Sequence, residues 1–199
     1  MPRTPEITLP DLTGRRTLVT GASDGVGVEI ALRLARSGAS VVMPVRNPAK
    51  GRAAADRIRR EVPGAAVDVR GLDLSSLDSV RTFAHELVAQ GEPIHALIHN
   101  AGVMTPPERV ASADGFELQL ATNHLGPVAL TARLWPLLVA GKARVTSQIS
   151  VSADRNAVLW DDMSSERGYH AHHAYSSSKI ALGLFAMDLD RRSRAAGWG

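Results

Sequence analysis

Residues 16–27 read RTLVTGASDGVG, a short apolar run followed at once by a glycine-rich turn. The run indicates a buried strand over 16–20, and a helix is indicated over 26–38, with one face carrying Val26, Ile30 and Leu34. Glycines spaced GxxxGxG between a strand and a helix permit a tight turn and a close approach of the backbone to a pyrophosphate. The stretch therefore predicts a dinucleotide site, with a glycine turn that binds no ligand as the alternative.

The alternation of short apolar runs with longer helical patterns continues along the chain. Further strands are predicted at 40–45, 66–70, 94–99 and 143–150. Further helices are predicted at 47–62, at 75–91, at about 115–139 with a bend or break near its prolines, and around Tyr175. Such alternation predicts an α/β fold, a Rossmann-type doubly wound parallel sheet in one domain over 1–199 that ends after the helix of Tyr175. The fifth strand would then form an edge of the sheet.

Composition narrows the class of protein. A hydrophobic content of 44% fits a globular domain, and the lack of cysteine excludes disulfides and thiolate metal sites. The start of the chain has no apolar run, so we expect neither a signal peptide nor a membrane anchor, and a cytoplasmic location. The net charge is +3, and the surplus basic residues are interspersed with acidic residues. This distribution disfavours nucleic-acid binding. The histidines of YHAHH have no visible further ligands, so no metal site is expected.

The end of the second predicted strand indicates which dinucleotide would bind. An NAD site places an acidic residue here to accept a hydrogen bond from the ribose 2′-hydroxyl, but this chain has Arg46. A guanidinium can hold a 2′-phosphate through paired, charge-assisted hydrogen bonds. NADP(H) is therefore the expected cofactor, and a solvated surface arginine is the alternative. After the third strand, Asp73 could face the adenine amino group.

The stretch HHAYSSSKIALGLF (172–185) places Tyr175 and Lys179 four residues apart. Apolar residues that follow at helical spacing, among them Ile180, Leu184 and Met187, predict a helix, so the two side chains share one face. An ammonium beside a phenol favours the phenolate and lowers a pKa that starts near 10. The pair could make the tyrosine an acid or base, although the same spacing also occurs by chance on helix surfaces.

Taken together, these segments resemble the short-chain dehydrogenase/reductase family, and most of all its retinol-dehydrogenase-like branch. The matching segments, in the family's order, are TGASDGVG, VRNPAKG, LDLSS, IHNAGVM, ADGFELQLATNHLG, ISVS and YSSSK. The resemblance covers residues 16 to about 195, nearly the whole chain. His99 departs from the Asn-Asn-Ala-Gly motif of the family and is interpreted as structural.

The resemblance implies a catalytic tetrad of Asn123, Ser150, Tyr175 and Lys179, with Ser147 and Ser152 as fallback serines. Tyr175 would exchange a proton with the substrate oxygen, and Ser150 would hydrogen-bond that oxygen. Lys179 would lower the tyrosine pKa and bind the nicotinamide ribose, while Asn123 would kink its helix and hold a relay water. The implied cofactor contacts are Gly21, Ser23, Asp24, Gly25, Val26, Gly27, Arg46, Asp73, Leu74, Asn100, Ala101, Gly102, Tyr175 and Lys179.

The implied activity is hydride transfer between NADP(H) and an apolar alcohol or carbonyl compound. The resemblance also implies a homo-oligomer that associates through the helices of Asn123 and Tyr175. Family members continue past the tyrosine helix with a further strand, a turn at the nicotinamide and a substrate lid, which this sequence lacks. We therefore expect weakened cofactor binding and low or absent turnover in the 199-residue chain, and keep a truncated, non-catalytic nucleotide-binding or interaction module as the alternative.

Overall fold

A five-stranded parallel sheet organises the computed structural model, which describes residues 8–198. The strands are β1 (Arg16–Val19), β2 (Ser40–Val45), β3 (Val67–Gly71), β4 (Ala96–His99) and β5 (Arg144–Ser147). Their order in the sheet is β3-β2-β1-β4-β5. The order reverses between β1 and β4, which is the point at which doubly wound sheets bind ligands. The predicted fold class is confirmed.

Helices cover both faces of the sheet. They are α1 (Gly25–Arg36), α2 (Pro48–Glu61), α3 (Leu77–Gln90), α4 (Leu118–Leu120), α5 (Gly126–Arg133), α6 (Trp135–Ala140) and α7 (Ala171–Ala195). One apolar cluster joins α1 and α2 to the sheet around Met43 and Ile58. A second cluster joins α3, α5 and α6 to the opposite face around Leu97 and Leu130. None of the helices described in residues 8–198 is long and apolar enough to cross a membrane.

The helix predicted over 115–139 is interrupted twice, as its prolines indicated. It starts at α4 and passes through one π-helical turn, Ala121–Leu125, directly before α5. It breaks again at Leu134, because Pro136 in the first turn of α6 has no N–H to continue the hydrogen bonding of α5. The π turn widens the helix at the position of Asn123.

The fifth strand is shorter than predicted. The sequence pattern placed it over 143–150, whereas β5 ends at Ser147, so the prediction that Ser150 lies on the strand is wrong. The Oγ of Ser150 accepts a hydrogen bond from the backbone N–H of Ser152 (3.2 Å) and thereby caps a 3₁₀ helix, Val151–Arg155. Among the described residues β5 pairs only with β4, so it is a sheet edge, as expected.

His99, the departure from the family motif, lies buried at the end of β4. Its Nε2 is 2.8 Å from the Oγ1 of Thr131, whose hydroxyl donates to the carbonyl of Pro127. Nε2 must therefore carry the proton, and the buried Nδ1 has no partner among the described residues. Burial lowers the pKa of His99 from its ordinary 6.5 to about 4.

This pKa predicts an acid-sensitive fold. Because the unfolded chain binds a proton at His99 between pH 6.5 and pH 4 and the folded chain does not, stability should fall as the pH drops through that window. The pKa shift corresponds to a loss of about 3 kcal/mol in the free energy of unfolding. Urea unfolding of the wild type and His99→Asn at both pH values measures it, with His85→Asn on the exposed side of α3 as the control. An equal pH dependence of the wild type and His99→Asn would contradict the prediction.

Candidate active site

A cleft of about 1360 Å³ opens at the carboxyl ends of the strands, beside the point where the strand order reverses. All the predicted cofactor contacts, from the glycine turn through Arg46 and Asp73 to Lys179, line this one cleft. Ser150 and Tyr175 also line it, whereas Asn123 lies fully buried outside its lining. The fold therefore brings the separate sequence motifs together in a single site.

The glycine turn after β1 is held from the side by Asn100. The Nδ2 of Asn100 donates to the carbonyl of Thr20 (3.0 Å), and the Oγ1 of Thr20 accepts from the backbone N–H groups of Asn100 and Ala101. Gly21 has a φ of 67°, in the region that favours glycine. At Gly27, an added Cβ would lie 2.5 Å from the Nδ2 of Asn100. The turn is therefore kept as a bare backbone surface that a pyrophosphate could approach.

The N-terminus of α1, Gly25–Gly27, lines the cleft. Asp24 caps the helix, and its Oδ1 accepts from the N–H of Gly25 (2.8 Å). Val26 is 64% exposed and lines the cleft, whereas Leu34, on the same predicted face of the helix, is buried. The free N–H groups and the positive end of the helix dipole suit an anionic ligand.

Two basic side chains lie at the far end of the cleft, beyond β2. Arg46 and Lys50 both line the cleft and are exposed, and they flank Asn47, whose Oδ1 caps α2. The two carboxylates that line the cleft already accept hydrogen bonds from nearby groups, Asp24 from Gly25 and Asp73 from Ser75. Lys50 was missed by the sequence reasoning, although its place in VRNPAKG, only four residues after Arg46, could have indicated it.

Tyr175 and Ser150 lie at the opposite end, where α7 and the segment after β5 meet. Tyr175 belongs to the first turns of α7 and is half-buried. The Oγ of Ser150 accepts from the Oγ of Ser152 (2.9 Å), and Ser147, the other fallback serine, has a buried Oγ with no partner among the described residues. Of these three serines, only Ser150 lines the cleft.

Lys179 is buried one turn after Tyr175. Its Nζ donates to the carbonyl of Gln148 (2.9 Å), and an added Cβ on Gly102 would lie 3.3 Å from that Nζ. Burial lowers the pKa of the Lys179 ammonium. The positive charge of Lys179 therefore lies at the back of the cleft, next to the backbone of the segment after β4.

Asn123 fastens that same segment. Its Oδ1 accepts from the N–H of Val103 (2.8 Å), and its Nδ2 donates to the carbonyl of Val103 (2.9 Å) and to the Oγ of Ser178 (3.0 Å). The hydroxyl of Ser178 donates to the carbonyl of Tyr175 (2.7 Å). Asn123 and Ser178 therefore tie the π turn, the segment after β4 and α7 together. Ser178 was missed because its partner lies 55 residues away.

The histidine-rich segment before Tyr175 does not form a metal site among the described residues. The rings of His170 and His173 lie 5.3 Å apart, but no group of three or more potential ligands was found in the part of the chain that the structure covers.

Known proteins resemble the chain over nearly its whole length. The sequence profile of the family described as short chain dehydrogenase matches residues 15–197. Human retinol dehydrogenase 12 is 41% identical over 187 residues, which are 94% of this chain and 59% of that protein. Mouse polyprenol dehydrogenase is 41% identical over 194 residues, which are 95% of this chain and 58% of that protein. The chain therefore spans less than two thirds of the length of these relatives.

Solved structures also resemble the chain over nearly its whole length. An uncharacterised protein from Mycobacterium paratuberculosis superposes with a TM-score of 0.84 at 38% identity, over 95% of this chain and 66% of that one. A metagenomic short-chain oxidoreductase in complex with NADP superposes with a TM-score of 0.72 at 26% identity, over 93% of this chain and 79% of that one.

Proposed function

Because the chain belongs to the short-chain dehydrogenase/reductase family, in its retinol-dehydrogenase-like branch, we propose that it is an NADP(H)-dependent oxidoreductase of apolar alcohols and carbonyl compounds. The observation that carries the proposal is the single cleft that joins a bare glycine turn to Ser150, Tyr175 and Lys179. The glycine turn suits a pyrophosphate at one position, and the polar side chains suit a reacting carbonyl at another.

The residues at the nicotinamide end have complementary tasks in this proposal. The cofactor supplies the hydride when bound. Tyr175 gives a proton to the substrate oxygen during reduction and takes one back during oxidation. Ser150 donates a hydrogen bond to the same oxygen as negative charge develops on it. Lys179 places a positive charge behind the tyrosine and reaches the ribose hydroxyls.

The cleft fits NADP(H) better than NAD(H). Arg46 and Lys50 offer two cations where a 2′-phosphate would lie, and among the described residues that line the cleft no carboxylate stands at the end of β2 to accept from a 2′-hydroxyl. The solved relative that contains NADP supports the same choice. Asp73 has its Oδ1 occupied by Ser75, so its other oxygen remains for an adenine amino group.

An apolar substrate fits the side chains around the reacting end. Met104, Ile149 and Val151 line the cleft and are between 53% and 88% exposed. Exposed apolar side chains gathered in a cleft are typical of binding sites for apolar molecules. Two of the relatives are named for alcohols of this kind, retinol and polyprenol.

The cofactor choice predicts a selective loss. We expect Arg46→Asp to weaken NADPH binding by about tenfold or more, because one charge-assisted hydrogen bond contributes roughly 1.5–3 kcal/mol. NADH binding should change little or improve. Fluorescence titration of both cofactors measures this, and Arg52→Asp, which makes the same charge change on the exposed side of α2 outside the cleft, is the control. An equal loss for NADPH and NADH would contradict the assignment of Arg46.

The proposal as a whole is tested by following NADPH oxidation with a panel of aldehydes and ketones of increasing chain length. We expect the rate of NADPH oxidation to rise with the length of the apolar part of the aldehyde or ketone. The panel is run on this chain and on a version extended by the C-terminal segment of a relative, since the chain spans 59% of human retinol dehydrogenase 12. NADPH binding without consumption of cofactor in either protein would favour the non-catalytic nucleotide-binding alternative.

Self-association of the protein remains a prediction that light scattering would check.

A further inference from the structure

Two amide side chains hold the segment after β4 in place. Asn123 bonds both backbone groups of Val103, as described above. Gln119, one helical turn earlier and fully buried, accepts from the N–H of Thr105 through its Oε1 (2.7 Å). The two amides therefore bind alternate residues of the segment after β4.

The Nε2 of Gln119 connects this segment to the start of α7. It lies 3.2 Å from the carbonyl of Ala171, 3.2 Å from the hydroxyl of Tyr169 and 3.3 Å from Oε1 of Glu117. The hydroxyl of Tyr169 donates to the carbonyl of Pro106 (2.8 Å). Since Ala171 begins the helix of Tyr175, one side chain links the two walls of the cleft.

The held segment contains a strained residue. Thr105 has a φ of 46°, in the left-handed region that a β-branched residue adopts at a cost. Such a conformation persists only where surrounding contacts enforce it. The hydrogen bond that the N–H of Thr105 donates to Oε1 of Gln119 is the contact made by Thr105 itself.

Between the two fastened residues, Met104 is left free of the network. It is 67% exposed and lines the cleft beside Ile149 and Val151. The amides thus fix the backbone on either side of Met104, and the thioether side chain is presented to the cleft.

We propose that Gln119 is a positioning residue that fixes the Val103–Pro106 segment, and that Met104, held in this way, contacts the apolar part of the substrate and sets the preference for it. The contact made by Met104 rests on the proposed oxidoreductase function, whereas the fastening by Gln119 does not. A flexible, polarizable side chain at this position suits apolar chains of differing shape.

The fastening is tested by hydrogen exchange of the Thr105 amide in the protein without substrate. Gln119→Met removes the acceptor at nearly constant volume and should speed this exchange by about tenfold, the equivalent of one hydrogen bond. Tyr169→Phe is the matched control, because it removes a hydroxyl from the same network but leaves the bond between Gln119 and Thr105. Unchanged Thr105 exchange in Gln119→Met, or equal acceleration in both variants, would overturn the role of Gln119.

The role of Met104 is tested by the kinetics of two aldehydes, decanal and the small polar glyceraldehyde. Met104→Ala and Gln119→Met should each lower kcat/KM for decanal about tenfold relative to kcat/KM for glyceraldehyde, a factor within the range for losing one buried apolar side chain. The double variant should be no worse than either single variant, since Gln119 acts through Met104. Additive effects, or equal losses for both aldehydes, would overturn the role of Met104. If neither this chain nor its version with a relative's C-terminal segment reduces either aldehyde, the proposed function and the role of Met104 both fail, and Thr105 exchange still decides the role of Gln119.

Discussion

Tyr175→Phe is expected to lower the rate of aldehyde reduction by about 10²–10⁴-fold, the usual contribution of a general acid. The ring is half-buried near the start of α7, so its packing is kept and only the transferable proton is lost. NADPH binding should stay nearly intact, because the substitution leaves the glycine turn and Arg46 untouched. Single-turnover measurements with saturating NADPH separate this chemical step from binding.

The matched control for this substitution is Tyr169→Phe. It removes a phenolic hydroxyl from the segment just before the same helix, outside the lining of the cleft. Its single-turnover rate should remain within about an order of magnitude of the wild type, well above the range for loss of a general acid. If Tyr175→Phe retains more than about a tenth of the wild-type rate, Tyr175 is not the proton donor.

Lys179→Met should damage both the rate and the binding of NADPH. The Lys179 ammonium is buried and donates to the carbonyl of Gln148, so its loss removes the cation at the back of the cleft and a contact proposed for the cofactor ribose. We expect a loss of rate comparable to that of Tyr175→Phe, together with NADPH binding weakened by about tenfold, as for one charge-assisted hydrogen bond. Methionine keeps most of the buried volume of the lysine stem.

Isothermal titration with NADPH and single-turnover kinetics distinguish the two roles of Lys179. Lys142→Met, on the turn before β5 and outside the cleft lining, controls for the loss of one positive charge. Unchanged NADPH binding in Lys179→Met would remove the ribose contact from the proposal. An unchanged single-turnover rate would remove its action on Tyr175.

Local patterns were sufficient to predict the sheet and the glycine turn. The apolar run before Gly21 is typical of a buried strand, and the apolar residues after it repeat with the period of a helix. Strands that alternate with helices in this way form βαβ units, and these units predict a parallel sheet. The β2 boundaries were predicted as Ser40–Val45 and observed so. The ends of β5 were less well predicted, because the Thr and Ser residues around Ser150 favour caps as readily as strands.

Apolar periodicity alone could not say which apolar residues are buried. Val26, Leu184 and Met187 fit a helical stripe, yet they are between 45% and 71% exposed. Val26 faces the cleft, and the other two lie on α7 away from the core clusters. The same residue types serve in cores and in clefts, so the sequence pattern does not separate the two.

The sequence did not predict the hydrogen-bonding residues that hold the site in place. Ser178 and Gln119 act through partners far away in sequence, and a hydrogen bond between distant residues has no local pattern. Lys50 could have been found, because it lies in the first turn of α2, only four residues after Arg46.

The most direct test of the central claim follows the hydride itself. The protein, as this chain and with a relative's C-terminal segment added, is incubated with NADPH deuterated at C4 and with decanal, and the product is examined by mass spectrometry. We predict that deuterium appears at the former carbonyl carbon of decanol, from only one of the two C4 positions, and that Tyr175→Phe reduces this transfer by at least about a hundredfold. The appearance of no deuterated decanol in either form of the protein, despite bound NADPH, would contradict the account.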